Sequence, residues 1–170
     1  MFEAWDNFYI LLGSAAGALI GLLFIVVTLT AGLDREQALR GASRYMTPTL
    51  TAFSAVLLVS AIASAPLRAG LQRVTLVVLA LLLLVWALVN VRRMFFPDGG
   101  PPTHWTDPWW YSAAPAAAYL ALAAVAGAGS PLGVGAVAVA LLMLGVRNAW
   151  DLITWIAPRG PGGDATPPPG

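Results

Sequence analysis

Three polar residues stand where an apolar helix would place lipid-facing ones: Arg147, Asn148 and Asp151, in the stretch GVRNAWDLITW at 145–155. Ionisable groups inside a membrane segment are costly, face protein or water, and mark function more often than chance. At about 100° per residue Arg147 and Asp151 fall roughly 40° apart, with Asn148 within about 100° of Arg147. All three therefore share one side of a helix, and an Arg147–Asp151 pair one turn apart is the simplest way to answer both charges.

Other chemistry is poorly supplied. There is no cysteine, and one histidine, His104, sits in a loop beside Asp98 and Asp107. One imidazole without thiolates falls short of an ordinary zinc ligand set. All nine basic residues are arginine, so lysine Schiff-base chemistry is excluded. No HExxH, GxSxG or phosphate-binding glycine loop occurs. The expectation is a non-enzyme with no catalytic residue, metal or cofactor.

The elements that must position the polar residues follow from composition. Of 170 residues 59% are hydrophobic and 10% charged, with mean hydropathy +0.78. A soluble domain carries about 25% charged residues, so this chain has too few to cover a water-facing surface. The net charge of +1 gives nucleic acid no general attraction. The class expected is an all-α integral membrane bundle of five transmembrane helices, over about 8–31, 48–65, 74–91, 109–126 and 132–157. Each is near the roughly 20 residues a hydrocarbon core requires. The first apolar run lacks a basic leader and reads as a span rather than a signal peptide.

Local signals mark the ends. Trp5, Phe8 and Tyr9 are interfacial aromatics. Thr47-Pro48 and Asp107-Pro108 read as caps followed by a first-turn proline. Pro66 stops the second span, and Ser130-Pro131 turns the fourth into the fifth. The third span is nearly pure Leu, Val and Ala and should present much of its surface to lipid. Ala-rich and holding Pro115, the fourth should be packed inside and bent. The Pro/Gly-rich tail 159–170 is expected to be disordered.

Gly13, Gly17 and Gly21 recur every fourth residue on one stripe of the first span. Small-xxx-small stripes let two helix backbones approach closely, so this one is either an oligomer seam, a pore wall, or ordinary packing within the bundle. The six arginines at 35, 40, 44, 92, 93 and 159 against Arg68 and Arg73 place the N-terminus outside and the C-terminus in the cytoplasm.

With that topology, and Trp155 taken as the inner interface, Arg147 lies about 12 Å deep and Asp151 about 6 Å. Ser54, Thr51, Thr47, Thr28, Thr30 and Asn90 fall in the same inner half, so every span except the fourth offers polar groups to one layer. Two readings stay open: a polar lock that fixes helix register, or a hydrated vestibule lined by Arg147, Asn148 and Asp151.

FYILLGSAAGALIGLLFIVVTL at 8–29 together with GVRNAWDLITW resembles an uncharacterised family of small bacterial multi-span membrane proteins. Its members share a Gly/Ala-rich first span and an RNAWDL-type last span, and some are labelled modulators of a membrane-bound AAA protease. The resemblance implies a bacterial inner-membrane protein, and it directs attention to Gly13, Gly17, Arg147, Asn148, Trp150 and Asp151. The partners expected are the lipid bilayer, further copies of the chain and a membrane protein.

Overall fold

The computed structural model describes residues 2–30, 46–95 and 106–156. Among them no strand occurs, and five helical segments are long and apolar enough to cross a membrane. Helix α1 covers Asp6–Thr30, α2 Thr47–Ser64, α3 Ala69–Phe95, α4 Ala114–Gly127 and α5 Pro131–Ile156. A single π-helical turn, Trp109–Ala113, leads directly into α4 and completes the fourth segment. The protein is an all-α helical bundle. The expected tail at 159–170, the His104 loop and the polar connection holding Arg35, Arg40 and Arg44 lie outside the described residues.

α1 packs mainly on α2 and α3 on α4, while α5 lies against both α2 and α4 and joins the two pairs. Tyr9, Phe53, Val56, Leu76, Tyr119, Leu122, Val134 and Leu141 meet in the core without exposure. α2 is the most enclosed segment and α3 the least, with Val74, Val78, Leu82, Val85 and Leu88 turned outward. That agrees with the near-pure aliphatic composition of α3, since lipid asks for no polar face.

Helix ends follow from local chemistry. Ala65 leaves the helix into extended backbone (φ −71°, ψ 142°), as the residue before a proline is driven to do. Gln72 then donates from its side-chain amide to the carbonyls of Ile62, Ala63 and Ala65, adding to the backbone bonds that Ala65 and Leu67 make to Ile62 and Ala65 at a terminus short of donors. The guanidinium of the next residue, Arg73, reaches the Gly127 carbonyl and does the same for α4.

The α4–α5 turn is a Schellman motif. Gly129 takes φ +72°, Ser130 N–H donates to Val125 O and Gly129 N–H to Ala126 O, the bond pair that defines it. Ser130 then accepts from Gly133 N–H at 3.1 Å, an N-cap followed by proline at the first helical position. Tyr9 Oη donates to the Pro131 carbonyl at 2.9 Å, tying the start of α1 to the start of α5.

Two expectations need correcting. Thr47 is not a cap: Met46 occupies that position with helical dihedrals and no side-chain bond, and Thr51 Oγ1 donates to the Thr47 carbonyl instead. The third helix is longer than 74–91, because Gln72, Arg73, Arg92 and Arg93 continue it rather than end it. Polar residues mark where an apolar surface stops, not where the backbone must.

Candidate functional site

The polar cluster is built on α5 and on the turn that opens the fourth segment. Arg147 Nη1 lies 3.1 Å from Asp151 Oδ2 and 3.2 Å from Asn148 Oδ1, to which it donates. The Arg147 guanidinium carbon sits 3.9 Å from the centroid of the Trp110 ring, within the range of a cation–π contact. Asn148 has no exposure. Its Nδ2 donates to the Trp110 carbonyl at 3.3 Å, and Tyr111 Oη donates to the Asn148 carbonyl at 3.4 Å.

Why the fourth segment offers a backbone carbonyl there is a matter of register. In the π turn, Ala114 N–H donates to Trp109 O, five residues back. The Trp110 carbonyl has thus lost its α-helical donor to its neighbour. Its donor in the π register would be residue 115, and Pro115 has no N–H. Trp110 O is therefore left without a backbone donor at a partly buried position, and Asn148 supplies the missing hydrogen. A free amide reaching an unfilled backbone acceptor is a strong positional constraint, because leaving a buried acceptor unpaired costs about 1–3 kcal/mol.

Close approach makes this geometry attainable. A Cβ on Gly145 would lie 2.5 Å from Phe53 Cε1, so only glycine lets α5 settle against α2 one turn before Asn148. The ion pair itself is less enclosed, with the Arg147 and Asp151 side chains 39% and 41% exposed. The cluster thus has a sealed end at Asn148 and an open end at Arg147 and Asp151.

The predicted pair of Arg147 with Asp151 is present, and Asn148 joins it. The remaining predicted members do not. Thr51 and Thr28 donate to carbonyls of their own helices, Thr47 and Ile25. Ser54 is half-buried and makes no bond to the cluster among the described residues. Asn90 Nδ2 is buried and has no partner there. The side chains of Thr30 and Trp155 fall outside the described residues. The fourth segment, expected to contribute nothing polar, supplies the principal partners through Trp110 and Tyr111. Backbone carbonyls and ring faces escape a count of polar side chains; the available signal was Pro115 placed shortly after an aromatic run.

The reference depth changes too. From the α4–α5 turn, Arg147 lies about 25 Å along α5, and Trp110 a similar distance along the fourth segment. The cluster therefore stands level with the beginning of a membrane-length segment. Asn90 is about 27 Å along α3 from Gln72, close to the same level but bonded to none of the cluster.

The glycine stripe divides. A Cβ on Gly13 would come within 2.9 Å of Ser60 Cβ, whereas no other described residue comes within 4 Å of one on Gly17 or Gly21. Gly13 serves the α1–α2 contact, and Gly17 and Gly21 serve no contact with another described helix. Among the described residues no three His, Asp or Glu side chains group as metal ligands. No protein-family model matches the chain, nor does any curated protein or solved structure.

Proposed function

We propose that the chain is a non-enzymatic structural or regulatory component of a bacterial inner membrane, and that Arg147, Asn148 and Asp151 lock α5 to the fourth segment. The observation that carries this reading is the bond from fully buried Asn148 to the Trp110 carbonyl. A residue committed to a backbone acceptor that proline has orphaned is occupied, and its neighbour Arg147 has its charge answered by Asp151 and the Trp110 ring. Gly17 and Gly21, with no other described residue within 4 Å of an added Cβ, suit self-association through α1. The arginine count supports an outer N-terminus and a cytoplasmic C-terminus. The family resemblance at both ends favours a membrane-protein partner as the regulated object.

A small channel or transporter subunit is the second reading. It is favoured by the partial exposure of the ion pair and by the buried Asn90 amide, which has no partner among the described residues. Ion and solute flux in proteoliposomes separates the two. The lock requires flux equal to empty liposomes for both the native protein and Arg147→Ala, with assembly weakened in the variant. Flux that changes selectivity in Arg147→Ala while assembly survives would establish the pore.

A further inference from the structure

We infer that the rim formed by the last turn of α3 and the π turn binds the phosphate of an anionic phospholipid, with Arg92 and Arg93 as its ligands and Trp109 against the glycerol region. This rests on reading the five helices as membrane spans.

Arg92 and Arg93 occupy the exposed final turn of α3. Neither side chain forms an ion pair or hydrogen bond with another described residue, and Arg147, the next arginine along the rim, is already held by Asp151. Of the two carboxylates near this rim among the described residues, Asp151 is taken by Arg147 and Asp107 is engaged in contacts of its own. Phe95, one turn beyond Arg92, meets Trp109 edge to face at 5.6 Å between centroids. Arg92 and Arg93 thus share the last turn of α3 with a ring that touches an indole 57% exposed, and Arg92 lies within about 60° of Phe95 on the helix.

The level is that of a headgroup. Arg92 and Arg93 follow Asn90, which is about 27 Å along α3 from Gln72, so they reach the edge of a roughly 30 Å hydrocarbon core. Guanidinium forks match phosphate oxygens in pairs, and tryptophan favours the depth of the glycerol backbone. Arg68, exposed near the opposite ends of the helices, has no tryptophan among the described residues of that turn and serves as the internal control.

The test uses the full chain in detergent, equilibrated with equal amounts of phosphatidylcholine and phosphatidylglycerol, with retained lipid counted by native mass spectrometry. Phosphatidylglycerol should be enriched on the order of fivefold for each arginine engaged. Enrichment should fall to parity in R92Q/R93Q and persist in R68Q, with helix content unchanged in all. Trp109→Ala should shorten retention of phosphatidylglycerol without abolishing the preference. Equal retention of the two lipids by the native chain would overturn the site, as would enrichment that survives R92Q/R93Q or is lost equally in R68Q. Failure to float with vesicles of any composition would instead contradict the membrane reading itself.

Discussion

The two ends of the bundle meet the same physical demand in different ways. At the end holding the α2–α3 and α4–α5 turns, carbonyls are orphaned because helices stop there. Gln72 and Arg73, adjacent on α3, reach across to finish α2 and α4, and Tyr9 bonds the Pro131 carbonyl. At the other end a carbonyl is orphaned within a continuing helix, because Pro115 withholds a donor and the π turn shifts the register. There Asn148 takes the place of the missing N–H. Ends of helices always require such partners, so the first arrangement is maintenance. A break inside a helix has to be introduced, and it needs a partner fixed in one place. That difference singles out Asn148 as the residue on which the cluster depends.

The largest expected effect on this comparison comes from packing. Gly145→Ala would drive a methyl into Phe53, and overpacking of this kind costs about 1–3 kcal/mol. Loss of that amount in reversible unfolding in detergent, together with weaker assembly, would show that α5 must seat closely for Asn148 to reach. A neutral result would mean that α5 can shift and the register is soft. Gly17→Ala is the matched control. With no other described residue within 4 Å of an added Cβ it should not destabilise the fold, and greater helix propensity favours it by up to about 1 kcal/mol. Gly17→Leu should instead reduce self-association on size exclusion or cross-linking, and unaltered assembly would remove α1 as the seam.

Next comes the maintenance end. Gln72→Ala should lower stability by about 1 kcal/mol, the ordinary net worth of hydrogen bonding at a helix terminus, and amide exchange should rise near Ile62–Ala65 while Trp110–Ala114 is unchanged. Spread of the effect to the π turn would show that the two ends are coupled. Arg147→Ala should have the smallest effect, about 0.5–1 kcal/mol, since the ion pair and ring contact are partly exposed and screened. A loss as large as that for Asn148 would move the centre of the lock to the charge.

The sequence makes most of the architecture readable, because hydropathy and length act through the bilayer alone. Pro66, Ser130 and Pro131 mark turns by chemistry that works within a few residues, and each turn forms where expected. Arg147 and Asp151 are also legible, since four residues on a helix bring two side chains together whatever the fold. The identity of Asn148's partner is not. It depends on a change of register at Trp109–Ala113, and on α4 being the neighbour of α5 at that level. Helical spacing likewise groups Asn90, Ser54 and Thr51 by depth but cannot say which way each faces across the bundle. The glycine stripe shows the same limit: three equivalent positions in sequence become one packed residue and two open ones once α2 lies against Gly13.

The central claim is that Asn148 compensates for the donor that Pro115 lacks. A double-mutant cycle of Asn148→Ala and Pro115→Ala, read by reversible unfolding in detergent, measures that dependence. With alanine at 115 the backbone regains an N–H and can satisfy Trp110 itself. Polar contacts in membrane proteins average about 0.6 kcal/mol and reach about 1.7, and Asn148→Ala in the native background should fall at the upper end. In the Pro115→Ala background its cost should drop by about half or more. Additivity of the two substitutions to within about 0.3–0.5 kcal/mol would contradict the account.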